Sequence, residues 1–179
     1  ARAVQPAEAE VAAAQATAQA ALDQRVEKFL ASHRGAWRDM NVPEVDGRTL
    51  RDLVVRKGFR RALEIGTSTG HSAIWIAWGL SRTGGRLITI DIDPERHREA
   101  VANFQAAGLS AYIDARLADA QLEAGASFDA LAAAVDLQQA LADPATLRVG
   151  GDRRQRHRGV LVVERLDAGL GIAALLLVL

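Results

Sequence analysis

The chain has 179 residues, with 22 basic and 22 acidic side chains, so its formal net charge is zero. This length allows one domain with a sizeable core. A neutral protein lacks the overall positive field that attracts nucleic acid or anionic membrane. The absence of cysteine excludes disulfides and thiolate metal sites. The longest apolar run, GIAALLLVL, is about half as long as a membrane-spanning helix. We therefore expect a soluble domain that acts on a small molecule, with neither nucleic acid nor membrane as partner.

The compartment is less constrained by the sequence. The chain begins at Ala1, without methionine and without a basic and apolar leader. We expect a cytoplasmic location, and a mature exported protein whose leader has been removed is the alternative. The lack of cysteine removes the redox evidence that would separate the two.

The N-terminal segment, residues 7–33, is rich in Ala, Gln and Glu, a composition that favours helix. It predicts one or two helices on the outside of a domain, with an apolar face near the end of the segment. The break at Pro43 and Gly47 predicts a loop. We expect Asp46 to cap a second helix over 49–57, and Gly58 to end it.

Three short apolar strands alternate with two helices between residues 61 and 119. Short links between such elements imply right-handed crossovers, so we predict an α/β fold with a doubly wound, mostly parallel sheet. Asp93 and Gly108 mark the two ends of the second helix. The elements in chain order are RALEI, HSAIWIAWGLS, RLITIDI, DPERHREAVANFQAAG and AYIDARLAD.

The chain changes character after Asp119. Residues 120–149 are rich in alanine and contain few clear strand patterns. GVLVVERL and GIAALLLVL each have the composition of a strand. The basic run DRRQRHR, directly before GVLVVERL, has no interleaved aromatic residue, which favours a solvated loop over a nucleic-acid contact.

A carboxylate and a glycine turn end the first predicted strand. Ligands of open α/β sheets bind at this carboxyl edge, where backbone N–H groups of the next helix can receive an anion. A dinucleotide site would place a third glycine at the position of Ser68, between Gly66 and Gly70. Glu64 also disfavours a phosphate and suits a cationic amine.

Acidic residues also end the second and third predicted strands. Asp91 is placed to accept hydrogen bonds from ribose hydroxyls, and Asp119 to contact an adenine amino group. Each has a plain alternative, a strand-end cap for Asp91 and a solvated loop for Asp119. Similarly, we expect His71 to face solvent in a loop, and two tryptophans to pack between helix and sheet. One ligand, S-adenosylmethionine, would satisfy all three acidic positions.

The segments ALEIGTSTGHSA, ITIDIDPERHREAVANFQAAG and DARLADA, with MNVPEVDGRTLRDLVVRKG upstream, resemble the class I methyltransferases. The closest likeness is to the bacterial catechol-type, divalent-metal-dependent O-methyltransferases, over about residues 22–120. The resemblance implies a Rossmann-like fold, with Ser72 holding the cofactor carboxylate. The cofactor contacts that it implies are Glu64, Gly66, Thr67, Ser68, Gly70, Ser72, Asp91, Asp119 and Ala120.

The resemblance also implies a single methyltransferase-like domain over residues 1–179. It would comprise an N-terminal helical segment (1–40), a cofactor-binding half (41–120) and an incomplete or diverged C-terminal part (121–179). A homodimer is compatible with the family.

The metal-binding motifs of the family are not intact in this sequence. Counting from Phe128, the family's D-A-D-K places Ala134 at the metal ligand, Asp136 at the second Asp and Leu137 at the Lys. If GVLVVERL is the next strand, Glu164 and Arg165 replace the next ligand pair. Asp136 and Glu164 are therefore the metal candidates, magnesium is expected only from the family, and no catalytic residue is assigned.

Divergence, truncation and a local reading-frame error each explain this departure. Read one nucleotide later, the degenerate codons of DRRQRHR permit T-A-D-N-V-T, the expected family motif. The sequence thus indicates an S-adenosylmethionine-dependent O-methyltransferase of small phenol- or catechol-like substrates. The alternatives are a catalytically impaired cofactor-binding module and, disfavoured by Glu64 and Ser68, a nicotinamide-dependent oxidoreductase.

Overall fold

The computed structural model describes residues 4–37, 41–119, 147–149, 160–166 and 173–178, with side-chain detail for residues 8–37 and 41–119. These residues form helices and strands that alternate from residue 61 to residue 117. The elements are α1 (Val4–Ser32), α2 (Glu44–Lys57), β1 (Arg61–Ile65), α3 (His71–Thr83), β2 (Arg86–Asp91), α4 (Pro94–Ala107), a 3-10 turn (Ser110–Tyr112), β3 (Ile113–Leu117), β4 (Leu147–Val149), β5 (Val160–Leu166) and β6 (Ala173–Val178).

The described strands form one sheet in the order β3-β2-β1-β6-β5-β4. β1 is parallel to β2 and to β6, β2 is parallel to β3, and the pairs β5–β6 and β4–β5 are antiparallel. The predicted α/β fold with a mostly parallel sheet is therefore confirmed. The two apolar C-terminal segments form strands as expected, and the structure adds the short β4. The carboxyl ends of β1, β2 and β3 meet at one edge of this sheet.

Helices α3 and α4 are the crossovers from β1 to β2 and from β2 to β3. Because both steps run in the same direction across the sheet, right-handed crossovers put both helices on one face. Every residue of α3 from His71 to Leu80 is buried, since the helix lies between the sheet and α2. Trp75 and Trp78 are buried, with 2% and 4% of their surface exposed. Trp75 lies against Gly47 of α2, and Trp78 Nε1 donates to Asp23 of α1 (2.6 Å), so packing of these rings between helix and sheet stays a prediction.

Helix α2 begins at Glu44, so the predicted start at Thr49 with an Asp46 cap is wrong. The carbonyl of Pro43 accepts hydrogen bonds from the backbone N–H groups of Asp46 (3.1 Å) and Gly47 (3.1 Å), which places both inside the first turn. Gly47 does not break the helix. It is buried against α3, and a Cβ at this position would overlap the Trp75 ring.

Other helix ends follow their sequence signals. Asp93 caps α4 by accepting from the backbone N–H groups of Glu95 (2.8 Å) and Arg96 (3.1 Å). Gly58 and Gly108 end α2 and α4 in the left-handed conformation, with φ of 67° and 80°. The N-terminal segment forms one continuous helix, α1. No helix in the described part of the chain is long and apolar enough to cross a bilayer.

Candidate functional site

The loop between β1 and α3, residues 66–70, is a compact turn that we call the glycine loop. Gly66 and Gly70 have φ of 93° and 94°, and Ser68 also adopts a positive φ of 49°. L-residues rarely adopt this region, so the two glycines meet a backbone requirement. A Cβ at Gly70 would lie 2.5 Å from the Phe104 ring of α4. The turn is therefore fixed by its own backbone and by α4.

Asp91, at the end of β2, links the carboxyl ends of three strands. Its Oδ2 accepts from the backbone N–H of Ser68 (2.7 Å), and its Oδ1 accepts from the N–H of Asp93 (2.9 Å). Its carbonyl accepts from the N–H of Ala118, just after β3 (2.9 Å). Each carboxylate oxygen has a second lone pair, so the carboxylate can cap the strand end and still accept from a ligand hydroxyl.

Glu64 is the fourth of the five residues of β1, next to the carboxyl end of the strand, and is fully buried. Its oxygens accept from Ser72 Oγ (2.5 Å) and Thr89 Oγ1 (2.6 Å), and Thr89 is in turn 2.5 Å from Thr67 Oγ1. Burial raises the pKa of Glu64 to about 7, although the bonds from Ser72 and Thr89 oppose the shift. The carboxyl positions Ser72 directly, while its expected contact with a ligand amine stays a prediction.

The N-terminus of α3 faces the same edge. Within the described residues, the backbone N–H groups of Ser72 and Ala73 have no hydrogen-bond acceptor. Unpaired N–H groups at a helix start, together with the helix dipole, favour an anion. The N–H of His71 is already used, because Asn41 Oδ1 accepts from it at 3.4 Å. A ligand carboxylate would therefore meet the second and third N–H groups of this helix.

Two features of the site were not predicted from the sequence: the unpaired state of the Ser68 hydroxyl, although Ser68 itself was a predicted cofactor contact, and the exposed side chain of Ile92. Ser68 Oγ is buried and has no hydrogen-bond partner within the described part of the chain. Ile92, directly after Asp91, is 69% exposed, which is unusual for a large apolar side chain beside a polar site. The sequence signal was an isoleucine between two aspartates at a strand end. A buried unpaired hydroxyl and an exposed apolar face are both features that a bound ligand would satisfy.

The expectation for His71 was wrong. Its ring is 3% exposed and forms two hydrogen bonds. The sequence indicated a loop position, but residues 41–43 lie over the start of α3 and cover the ring.

The remaining site predictions lie at or beyond the third strand end. Asp119 is partly exposed, two residues past the end of β3. Ala120 and Asp136 lie outside the described residues. Glu164 lies in β5, whose side chains are not among those described. Within the described part of the chain, no group of three or more His, Asp or Glu side chains could hold a metal ion. No chemical step is therefore assigned to a metal.

A family model for O-methyltransferases matches residues 10–137. The chain belongs to the O-methyltransferase family. A catechol O-methyltransferase from Mycobacterium tuberculosis is 32% identical over 119 residues, which are 64% of this chain and 52% of the relative. A catechol O-methyltransferase from Niastella koreensis is 40% identical over 57 residues, which are 32% of this chain and 25% of the relative.

Among solved structures, an O-methyltransferase from Bacillus cereus in complex with SAH is 30% identical, with a TM-score of 0.46. The match covers 69% of this chain and 50% of that one. The chain spans about half the length of the Mycobacterium tuberculosis relative. The family match over residues 10–137 confirms the resemblance carried by the strand-end motifs and extends beyond those motifs.

Proposed function

We propose that this chain is an S-adenosylmethionine-dependent O-methyltransferase that methylates a hydroxyl group of a small phenol- or catechol-like substrate. The observation that carries the proposal is the bond from the Ser68 N–H to Asp91, which brings the glycine loop and the end of β2 together beside an open helix N-terminus. Family membership supports the reaction class. The catechol O-methyltransferases among the relatives support the substrate class.

The groups at the sheet edge match the chemistry of this cofactor. Asp91 would accept from the ribose hydroxyls, and the exposed face of Ile92 would pack against the adenine ring. The N–H groups of Ser72 and Ala73 would bind the carboxylate. The ligand would supply the hydrogen-bond partner that Ser68 Oγ lacks. Asp119 would contact the adenine amino group, as the sequence predicts.

The chemistry that S-adenosylmethionine supplies is a methyl group bound to a positively charged sulfur. In the transfer, the substrate oxygen forms a bond to the methyl carbon, the carbon–sulfur bond breaks, and the hydroxyl proton passes to a base. The described residues contribute binding and orientation, which raise the rate by holding the two reactants in line. The base and the substrate contacts would come from the part of the chain after Asp119.

A second candidate is a module that binds the cofactor and transfers nothing. It is favoured by Ala134 and Leu137, which stand where the family motif has a metal ligand and a lysine. A methyl-transfer assay with catechol separates it from the first candidate, since both predict cofactor binding.

Asp91→Ala should weaken binding of S-adenosylmethionine and of its demethylated product by about 1–3 kcal/mol. That is the cost of leaving buried polar groups unpaired. Titration calorimetry with one ligand per chain measures this loss. The matched control is Glu10→Gln, an exposed residue of α1, which should bind like the parent. Absence of binding by the folded parent chain would contradict the proposal.

A further inference from the structure

The ring of His71, the first residue of α3, makes two hydrogen bonds that fix its tautomer. Nε2 lies 3.0 Å from Trp75 Nε1, and Nδ1 lies 2.8 Å from the carbonyl oxygen of Val42. An indole N–H can only donate, so Nε2 must accept and carries no proton. The proton of the neutral ring is therefore on Nδ1, which donates to Val42.

The same ring holds the segment that enters α2. Trp37 stacks on His71, with ring centroids 4.5 Å apart and planes inclined by 16°. The backbone N–H of His71 reaches Asn41 Oδ1, and Asn41 Nδ2 donates to Thr69 Oγ1 of the glycine loop at 2.8 Å. Residues 41–43 are thus fastened to the glycine loop and to the start of α3, where the cofactor carboxylate is proposed to bind.

Protonation of His71 would break this arrangement. Both ring nitrogens of an imidazolium are donors, so Nε2–H would face the N–H of Trp75. The indole cannot turn away, because it is 2% exposed and packs against Gly47. A cavity of about 150 Å³, lined by residues including Leu30, Trp37 and Val42, lies beside the His71 ring. The charged ring therefore has space to leave its position, and its bond to Val42 would be lost.

The charges around His71 come from each element that packs near it. Glu44 of α2 favours the imidazolium, but it is paired with Arg48 at 2.6 Å and lies 3.6 Å from Arg34. The Arg48 guanidinium itself lies 5.3 Å from the Trp75 ring centroid. Burial is the largest influence and lowers the pKa of His71, against smaller opposing effects of Val42 and Glu44.

Two further titratable groups lie near this cluster. His33, in the turn after α1, has its ring 5.9 Å from that of Trp37. Glu64 of β1 contacts the residue next to His71 through its bond to Ser72.

We propose that His71 is a positioning residue whose neutral ring holds residues 41–43 against the glycine loop, and whose protonation releases that segment and weakens cofactor binding. The effect on binding rests on the proposed function. The lowered pKa of His71 sets the direction of the pH effect on folding. Because the folded chain favours the neutral imidazole, His71 contributes fully to the stability of the fold only above its ordinary pKa of 6.5. This stabilisation is lost as the pH falls below that value.

The test is calorimetry of the demethylated cofactor from pH 7.5 down to the lowest pH at which both chains stay folded, with the parent and with His71→Phe. Phenylalanine keeps the ring stacked on Trp37 and removes both hydrogen bonds. At pH 7.5 the parent should bind about two- to tenfold more tightly, the range for one neutral hydrogen bond. This ratio should decrease toward one as the pH falls through the lowered pKa of His71. Comparing ratios removes the titration of Glu64, which both chains share.

Two further variants serve as controls for this test. His71→Gln carries an amide that cannot be charged, so its affinity relative to His71→Phe should not change with pH. His33→Gln removes the neighbouring histidine and should follow the parent at every pH. A ratio of parent to His71→Phe affinities that is constant from pH 7.5 to the lowest pH at which both chains stay folded would overturn the inference.

Tryptophan fluorescence of the ligand-free chain gives an independent measurement. Protonation would move the His71 ring relative to Trp37 and Trp75, so the emission of the parent and of His33→Gln should change as the pH falls through the lowered pKa of His71, and that of the two His71 variants should not. Identical fluorescence titrations of all four chains would also overturn the inference. If the parent binds no cofactor at any pH while this fluorescence difference is present, the proposed function fails and the positioning by His71 stands.

Discussion

Two buried titratable groups near the start of α3 respond to pH in opposite directions. Burial raises the pKa of Glu64 to about 7 from its ordinary 4.5, so its contribution to folding is complete below pH 4.5 and is lost as the pH rises to 7. His71 has a lowered pKa, so its contribution is lost as the pH falls. Their effects on stability partly cancel in the parent chain, and only variants separate them.

Glu64→Gln should separate the effect of the Glu64 carboxyl on stability from that of His71. The amide cannot ionise, so its stability relative to the parent should increase from pH 4.5 to pH 8. The increase should approach about 3 kcal/mol, at ~1.4 kcal/mol for each unit of pKa shift. Urea unfolding of both chains at the two pH values measures this difference. Glu10→Gln, on the exposed part of α1, should show no such trend. A stability difference between Glu64→Gln and the parent that does not vary with pH would contradict the raised pKa of the buried Glu64 carboxyl.

The ends of α4 could be predicted from local sequence signals, whereas the start of α2 depends on packing against residues distant in sequence. The side chain of Asp93 bonds to N–H groups within the next three residues, so sequence proximity is sufficient. Gly47 was taken for a helix breaker because nothing near it in sequence reveals Trp75, which lies 28 residues away and leaves no space for a Cβ. The burial of His71 was missed for the same reason, since the covering residues 41–43 are distant in sequence.

Gly47→Ala should therefore destabilise the fold, although alanine is the better helix former. The gain in helix propensity is about 1 kcal/mol. Overpacking a buried interface costs typically 1–3 kcal/mol, and here the overlap involves the indole edge whose N–H donates to His71. We expect a net loss of stability and a change in tryptophan fluorescence. Val45→Ala, on the exposed side of α2, is the matched control. Equal stabilities of the two variants would show that the α2–α3 contact is looser than described.

The carboxyl ends of the parallel strands could be predicted from sequence because topology alone places them at one edge. Asp91 and the glycine loop meet there, as expected. The chemistry after Asp119 could not be derived in the same way, since Asp136 and Ala120 lie outside the described residues. The chain also spans about half of its Mycobacterium tuberculosis relative.

Magnesium should change neither the affinity for the cofactor nor the rate of methyl transfer to catechol. A hard cation needs several oxygen ligands, and the family positions contain Ala134, Leu137 and Arg165. Arg165 would also repel a nearby cation by about 1–4 kcal/mol. Calorimetry and a methyl-transfer assay, each with magnesium and with chelator, measure both quantities. Methylation that the chelator abolishes would show that other residues supply the ligands.

The hydroxyl groups around Glu64 set how many proton donors the site can offer. Thr89 and Ser72 each donate to the ionised carboxylate, so Thr67 must direct its own proton to Thr89. All three hydroxyl protons are then committed inward, and Ser72 Oγ presents only lone pairs to a ligand. When Glu64 is protonated, its carboxyl donates one hydrogen bond, and one of the three hydroxyl groups no longer has to donate to it. Because the pKa of Glu64 is about 7, the donor count of the site varies across the neutral pH range.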